Sequence, residues 1–191
     1  MSEHNGILSD ICDYSSERIA VSSISVENYY STENILPNKK GSVAAASLPT
    51  TDRTPKCVKG NTLISNIRPY FKKILYCYED GGCSSDVLCI TAKSPNLATY
   101  VYSTLYTDRF FDYMVAGSKG TKMPRGDKQQ IMKYAIHIPK SDELELFDRF
   151  ANVILEEIHK NNEENKRLSV IRDTLLPKLI SGELDVSDID L

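Results

Sequence analysis

The chain has 191 residues, of which 41% are hydrophobic, and its 23 Lys plus Arg against 26 Asp plus Glu give a formal net charge of −3. This length suits one domain with an appendage and is sufficient to bury a core. No run of about eighteen apolar residues and no basic-then-apolar N-terminus is present, so we expect a cytoplasmic protein with no membrane span.

The charge is unevenly distributed along the chain. Residues 1–141 hold 17 Lys plus Arg against 13 Asp plus Glu, a balance of +4, whereas residues 142–191 hold 6 against 13, a balance of −7. Within the basic part, residues 53–73 contain six cations and no acid, and residues 117–133 contain five cations and one acid. Phosphate contacts from clustered Lys and Arg dominate nucleic-acid affinity, so these two segments are the first candidates for binding a polyanion.

Motifs for catalysis or metal binding are missing. The five cysteines form no CxxC pair and the three histidines lie far apart, so we expect reduced packing cysteines, no metal and no cofactor. The sequence has no GxGxxG, GxxxxGK[ST], GxSxG or HExxH motif. The "ENK" triplet at 164–166 matches a surface helix face better than a nuclease site. We therefore predict a non-enzymatic protein with no catalytic residues.

The first half of the chain predicts β-structure. Residues 19–36 are rich in Ser, Thr, Tyr, Val and Ile without helical period and predict strands and turns, whereas 37–56, with three prolines, predicts a long loop. The run 61–67, "NTLISNI", predicts a half-buried strand.

Two further strands are predicted after this one, at 72–78 and 86–91. The "EDGG" sequence between them predicts a turn in which Gly81 and Gly82 adopt positive φ.

Two short helices follow. Ser94 before Pro95 predicts the start of a helix that continues to about residue 106. Asp108 is placed to cap a second helix, which Gly117 would close. The basic segment 117–130, "GSKGTKMPRGDKQQ", then predicts a loop, and 134–138 a last strand. This mixed order indicates an α+β domain with a largely antiparallel sheet.

Residues 142–176 predict one long helix, because no proline or glycine interrupts them. Apolar residues recur at heptad spacing and, with one Asn, form a coiled-coil-like seam: Phe147, Phe150, Ile154, Ile158, Asn161, Leu168, Ile171 and Leu175. Such a stripe needs a partner, so we expect a homodimer formed through this helix. Pro177 should kink or end the helix, and Gly182 should close the following turn.

The candidate nucleic-acid contacts come from the exit of the 61–67 strand and from the second basic loop. They are Asn66, Arg68, Tyr70, Lys72, Lys73, Lys119, Thr121, Lys122, Arg125 and Gln129. Arginine suits guanine and Asn or Gln suits adenine in base recognition. Alone, the first cluster is equally compatible with a solvated surface; the second basic loop favours nucleic-acid contact.

Several stretches resemble, in the same order, the DNA-specificity subunits of type I restriction-modification systems. They are "ISVENYYSTENILPN", "VKGNTLISNIRPYFKKI", "GGCSSDVLCI", "GSKGTKMPRGD" and "LSVIRDTLLPKLISGEL". Members of this family usually carry two tandem units, each a target recognition domain followed by a spacer helix. The resemblance implies a single unit here: a recognition domain at 1–141, a spacer or dimerisation helix and turn at 142–181, and an acidic tail at 182–191.

The resemblance also implies the partners, which are double-stranded DNA and the methyltransferase (M) and restriction/translocase (R) subunits. We therefore expect a non-catalytic, sequence-specific DNA-recognition subunit, a half subunit or a truncated one, that dimerises and reads an interrupted palindrome. The alternatives are a coiled-coil adaptor or inactive truncated specificity subunit that binds protein rather than DNA, and a stand-alone nuclease.

Overall fold

A computed structural model describes residues 4–183 of the chain. The residues up to Arg149 form one compact unit, and those from Phe150 onward form a second. The strands are β1 (Gly6–Ile7), β2 (Cys12–Tyr14), β3 (Arg18–Ala20), β4 (Tyr29–Tyr30), β5 (Arg53–Cys57), β6 (Thr62–Ser65), β7 (Ile74–Tyr76), β8 (Gly81–Cys83), β9 (Val87–Ala92) and β10 (Ala135–Ile136). The helices are α1 (Leu8–Ile11), α2 (Ala98–Leu105), α3 (Asp108–Ala116), α4 (Lys128–Met132) and α5 (Ser141–Ile180). The predicted α+β class is confirmed.

The central sheet is antiparallel throughout, in the order β2-β9-β6-β7. Strand β6 is buried on both faces rather than on one. Ile64 packs in a cluster with α2 and α3 residues such as Leu105 and Phe111, whereas Leu63 packs in a second cluster with Tyr30 and Ile35. The strand that leads to the basic segment is therefore the most deeply anchored one.

A second four-stranded sheet has the order β3-β5-β8-β4, with β4 and β8 parallel and the other pairs antiparallel. Strand β8 corrects the predicted turn at Gly81 and Gly82. Neither glycine has positive φ. Both are needed for close approach instead, since a Cβ on Gly81 would lie 2.1 Å from the Asn28 carbonyl oxygen and one on Gly82 would lie 2.7 Å from Thr54 Cγ2.

Other local predictions are corrected by tertiary pairing. The predicted loop 37–56 contains the start of β5, which pairs with β3 and β8. The predicted loop 117–130 contains the start of α4.

The cap of α3 also differs from the prediction. Thr107, not Asp108, caps this helix, because its hydroxyl accepts a hydrogen bond from the Phe110 N–H at 3.3 Å. Asp108 is the first residue of the helix, and its carboxylate is directed to other partners. Gly117 ends α3 as predicted, although at φ −92° rather than in the left-handed region.

The five cysteines are all free and buried, which confirms their predicted packing role. Four of them share one hydrophobic cluster: Cys57, Cys77, Cys83 and Cys89. Cys12 lies in the other large cluster, where burial raises the pKa of its thiol to about 12. Among residues 4–183 there is no cluster of His, Cys, Asp or Glu suited to a metal ion.

The long helix α5 has 40 residues and begins at Ser141, one residue earlier than predicted. The helix continues to Ile180, so the prediction that Pro177 ends it is wrong. Proline has no main-chain N–H, so the helix loses one hydrogen bond at this position. Only three residues of the helix follow Pro177, so little of the helix depends on that bond. Gly182, at φ +75°, donates its N–H to the Leu179 carbonyl and closes the turn that follows the helix, as predicted. In the part of the chain that the structure describes, no helix has the length and apolar character to cross a membrane.

Candidate nucleic-acid interface

The two basic segments, remote in sequence, are joined by main-chain hydrogen bonds. The Arg68 N–H donates to the Pro124 carbonyl at 2.8 Å, and the Gly126 N–H donates to the Asn66 carbonyl at 3.1 Å. Gly126 is buried, and a Cβ there would lie 2.6 Å from Met114 Cε. The tight packing of this glycine fixes the second segment against the exit of β6.

The second segment forms a tight loop. Lys119 and Arg125 exchange two main-chain hydrogen bonds of 2.9 Å each. Gly120 takes φ +96°, a conformation that favours glycine. Thr121 and Lys122 are exposed between the paired ends. The loop therefore presents polar side chains to solvent on a closed main-chain ring.

A third segment, which the sequence did not single out, joins the surface. The Asn38 N–H donates to the Phe71 carbonyl at 2.8 Å, and the Lys39 N–H donates to the Lys72 carbonyl at 3.0 Å. The "NKKG" sequence at 38–41 is a weak signal by itself, because adjacent lysines in a loop are usually solvated. We call the surface formed by 38–39, 66–73 and 119–125 the basic surface.

Backbone strain is concentrated on the basic surface. Within residues 4–183, the non-glycine residues with positive φ are Asn38, Lys39, Arg68 and Lys72, at 51° to 61°. A left-handed conformation costs roughly 1–2 kcal/mol for an ordinary L-residue and persists only where the surrounding structure enforces it. Strain of this kind clusters at binding sites. All four residues lie on one surface, and three of them are cations.

Most of the predicted cations are already paired. The ion pairs are Lys72 with Asp108 at 3.0 Å, Lys119 with Asp127 at 2.6 Å and Arg125 with Asp86 at 3.1 Å. The Lys73 amine donates to the Thr32 carbonyl, and partial burial lowers the pKa of this amine. Lys122 makes no ion pair in the described range. A phosphate approaching this surface would have to replace carboxylates at three positions.

The carboxylate partners are stabilised in their charged form. The amine of Lys119, followed by the N–H groups of Gln130 and Gln129, holds the pKa of Asp127 below its usual range. Asp127 also caps α4, accepting from those two N–H groups at 3.2 and 2.9 Å. Gln129 is therefore an exposed side chain in the first turn of α4, at the border of the basic surface.

Two aromatic rings are exposed beside the cations. Tyr70 is 48% exposed and Phe71 is 40% exposed, and their ring centroids lie 4.8 Å apart at 59°. Both lie in a 3₁₀ turn, Pro69–Phe71, between the left-handed residues Arg68 and Lys72. Exposed rings among cations suit stacking on bases or sugars.

Asn66 and Arg68 each contain a buried polar atom without a hydrogen-bond partner among the described residues. Asn66 is buried, and in the described part of the chain its Oδ1 has no hydrogen-bond partner; the same holds for the buried Nε of Arg68. The main chain of both residues holds the second loop in place. Tyr70, Lys122, Arg125 and Gln129 are exposed and can reach a ligand.

The predicted seam of α5 is exposed. The exposed fraction of its apolar members ranges from 37% for Phe147 to 63% for Phe150, and that of Ile154 is 59%. Asn161 is exposed as well. Apolar side chains aligned along a helix in this way are typical of a surface that binds another helix.

Comparison of the sequence with known proteins identifies one kind of relative. No protein-family model matches the chain. The type I restriction enzyme HindI specificity subunit of Haemophilus influenzae is 26% identical over 156 residues, which are 81% of this chain and 29% of that protein.

Solved structures show the same fold. The S subunit of a type I restriction-modification system from M. genitalium superposes with a TM-score of 0.59 at 14% identity, covering 92% of this chain and 45% of that one. The HsdS subunit of Thermoanaerobacter tengcongensis gives 0.55 at 16% identity over 96% of this chain and 50% of that one. A chain from a study of complex assembly and conformational transition in the type I R-M system gives 0.58 at 15% identity, covering 97% of this chain and 50% of that one.

These comparisons confirm the resemblance to specificity subunits that the sequence motifs indicated. The chain spans half or less of the length of each relative.

Proposed function

We propose that this protein is a non-catalytic, sequence-specific DNA-recognition module that directs a type I restriction-modification complex to its target. The observation that carries the proposal is the basic surface, where three segments distant in sequence are joined by main-chain hydrogen bonds and held in a strained backbone. Basic residues that were only solvated would not need a strained backbone to hold them together. Similarity to specificity subunits supports the same role.

The proposed partners are double-stranded DNA and the M and R subunits. The basic surface would contact phosphates through Lys119, Lys122 and Arg125, and the exposed Tyr70 would stack or contact sugar. Arg125 and Gln129 are the exposed side chains best suited to guanine and adenine, respectively. The residues up to 141 form the recognition domain in this proposal, and 142–181 the helix that binds partners.

We propose further that two copies associate through α5. A two-fold axis would relate identical recognition domains, which then read the same half-site on opposite strands. The target in this case is an interrupted palindrome. The protein would function as a half subunit, with two copies supplying what a tandem-repeat specificity chain carries in one.

Sequencing of modified bases in the host genome, with and without the gene, tests this function. Loss of an inverted-repeat methylation motif on deletion supports the proposal. Loss of an asymmetric two-part motif contradicts the homodimer and indicates pairing with a different specificity chain. An unchanged methylome contradicts the DNA-recognition role; the exposed seam of α5 would then favour a protein-binding adaptor.

A further inference from the structure

Two lysines from different segments converge on one exposed carboxylate. Asp108 Oδ1 lies 2.6 Å from Lys39 Nζ and 3.0 Å from Lys72 Nζ, and the Asp108 side chain is 65% exposed. These contacts, with the side-chain hydrogen bond from Lys39 as the largest cause, hold the pKa of Asp108 below its usual range. Two positive charges and one negative charge leave this cluster with a net positive charge.

The Lys39 side chain and the main chain of both lysines have contacts that do not involve Asp108. The Lys39 side chain is only 16% exposed, and its Nζ lies 4.8 Å from the ring centroid of Tyr106. The Lys39 N–H donates to the Lys72 carbonyl, and both residues adopt the left-handed conformation. A cation held over a ring on an ordered main chain loses little further freedom when it binds an anion.

The position of the carboxylate suits an anion from another molecule as well. Asp108 is the first residue of α3, whose N-terminus carries partial positive charge. Thr107 supplies the helix cap, so capping does not require the Asp108 side chain. A phosphodiester oxygen accepts the same charge-assisted hydrogen bonds as a carboxylate oxygen.

We propose that Lys39 and Lys72 form a binding site for one phosphate of the DNA backbone, and that Asp108 occupies this site until DNA displaces it. This inference rests on the proposed DNA-binding function and deepens it by assigning a phosphate position and a competing side chain. Asp108 then acts as a positioning residue that keeps two like charges together and sets the affinity lower than the lysines alone would give.

The test compares the binding of a short random-sequence DNA duplex over a range of NaCl concentrations, because non-specific binding is almost wholly electrostatic. Asp108→Asn removes the competing charge. We expect it to bind about five- to tenfold more tightly, as suits one unit charge removed near a phosphate. We also expect its slope of log affinity against log salt to steepen by about one unit, since one further counterion is released. Adding Lys39→Gln to this variant should cancel both gains.

Glu17→Gln is the matched control. It removes the same charge from an exposed carboxylate that pairs with Lys56 at 3.4 Å, on the second sheet. We expect its affinity and slope to equal those of the unmodified protein. Thermal melting of Asp108→Asn, and of a second neutral variant, Asp108→Ser, shows whether each is folded.

The outcomes separate this inference from the function on which it rests. If the unmodified protein binds with a salt-dependent affinity and folded Asp108→Asn binds equally or more weakly, Asp108 is only a structural ion-pair partner and the inference is wrong. If Glu17→Gln shows the same gain, the effect is one of net charge and the inference is also wrong. If the unmodified protein shows no salt-dependent binding, the DNA-binding function itself fails.

Discussion

The basic surface and the helix from Phe150 onward differ in how many of their groups find partners within the chain. On the basic surface, cations pair with carboxylates, main-chain groups from three segments bond one another, and the strand that leads to it is fully buried. Along the helix, apolar side chains such as Ile154 and Leu168 remain more than half exposed. Most cations of the first region have partners within the chain, whereas the second region leaves an apolar stripe exposed to water.

This difference separates two kinds of binding. A charged surface on an ordered backbone binds a polyanion by exchanging ion pairs, so its affinity depends on charge and on salt. An exposed apolar stripe gains its free energy from removing that surface from water, so its association should depend weakly on salt. Substitutions in the two regions should therefore have separable effects.

The largest expected effect comes from placing charges in the seam. Ile154→Asp with Leu168→Asp should convert dimers to monomers, weakening association by about a hundredfold or more, because buried unpaired charges cost several kcal/mol. Light scattering and sedimentation measure the change. Lys166→Asp alters the net charge by the same two units on an exposed position outside the seam and should leave the dimer intact. A monomeric unmodified protein would contradict the dimer proposal.

The second effect concerns the lysines of the basic surface. Changing Lys72, Lys73, Lys119 and Lys122 to alanine should weaken DNA binding and flatten its salt dependence without unfolding the protein. The Lys73 amine already donates to the Thr32 carbonyl, so we do not count it as a phosphate contact. We therefore expect the slope of log affinity against log salt to fall by about three units rather than four.

A matched variant carries alanine at four cations elsewhere on the same unit: Lys59, Lys93, Lys133 and Lys140. This variant loses the same total charge, but it should retain most of the salt dependence of DNA binding that the unmodified protein shows. Equal slopes for the two variants would show that DNA binds elsewhere. If both variants still associate through α5, the basic surface and the helix act independently, as expected.

A further effect, on stability rather than on binding, tests the packing of the compact unit formed by the residues up to Arg149. Gly81→Ala would place a Cβ 2.1 Å from the Asn28 carbonyl oxygen, and we expect it to lower the free energy of unfolding by about 2–3 kcal/mol. Gly41→Ala meets no atom within 4 Å and carries only the conformational cost of φ +82°, about 1 kcal/mol. Urea denaturation measures both. Equal losses would mean that the β4–β8 contact relaxes more readily than its geometry indicates.

Local sequence signals predicted the elements that local physics controls. The heptad pattern and the absence of helix breakers located α5 to within one residue at its start, and the apolar run at 61–67 located β6. Signals that compete with tertiary packing failed. Gly81 and Gly82 resemble a turn in sequence but lie in β8, because strands β4 and β5 flank that segment closely.

The candidate site was only partly predictable for the same reason. Clusters of Lys and Arg marked 66–73 and 119–125, since charge density is a property of composition. Lys39, Asp108 and the joining hydrogen bonds were not predictable, because each depends on a contact between segments more than 30 residues apart.

Sequence patterns were sufficient to predict the class of fold, the long helix with its apolar stripe, and the two basic segments, because helical period, strand pattern and charge are encoded within a few residues of each other. Contacts between distant segments determine which cations share a carboxylate, which residues adopt left-handed conformations and where glycine is obligatory. Those features arise where distant segments meet, and the free energy of packing the whole unit, not the preference of any short stretch, enforces them.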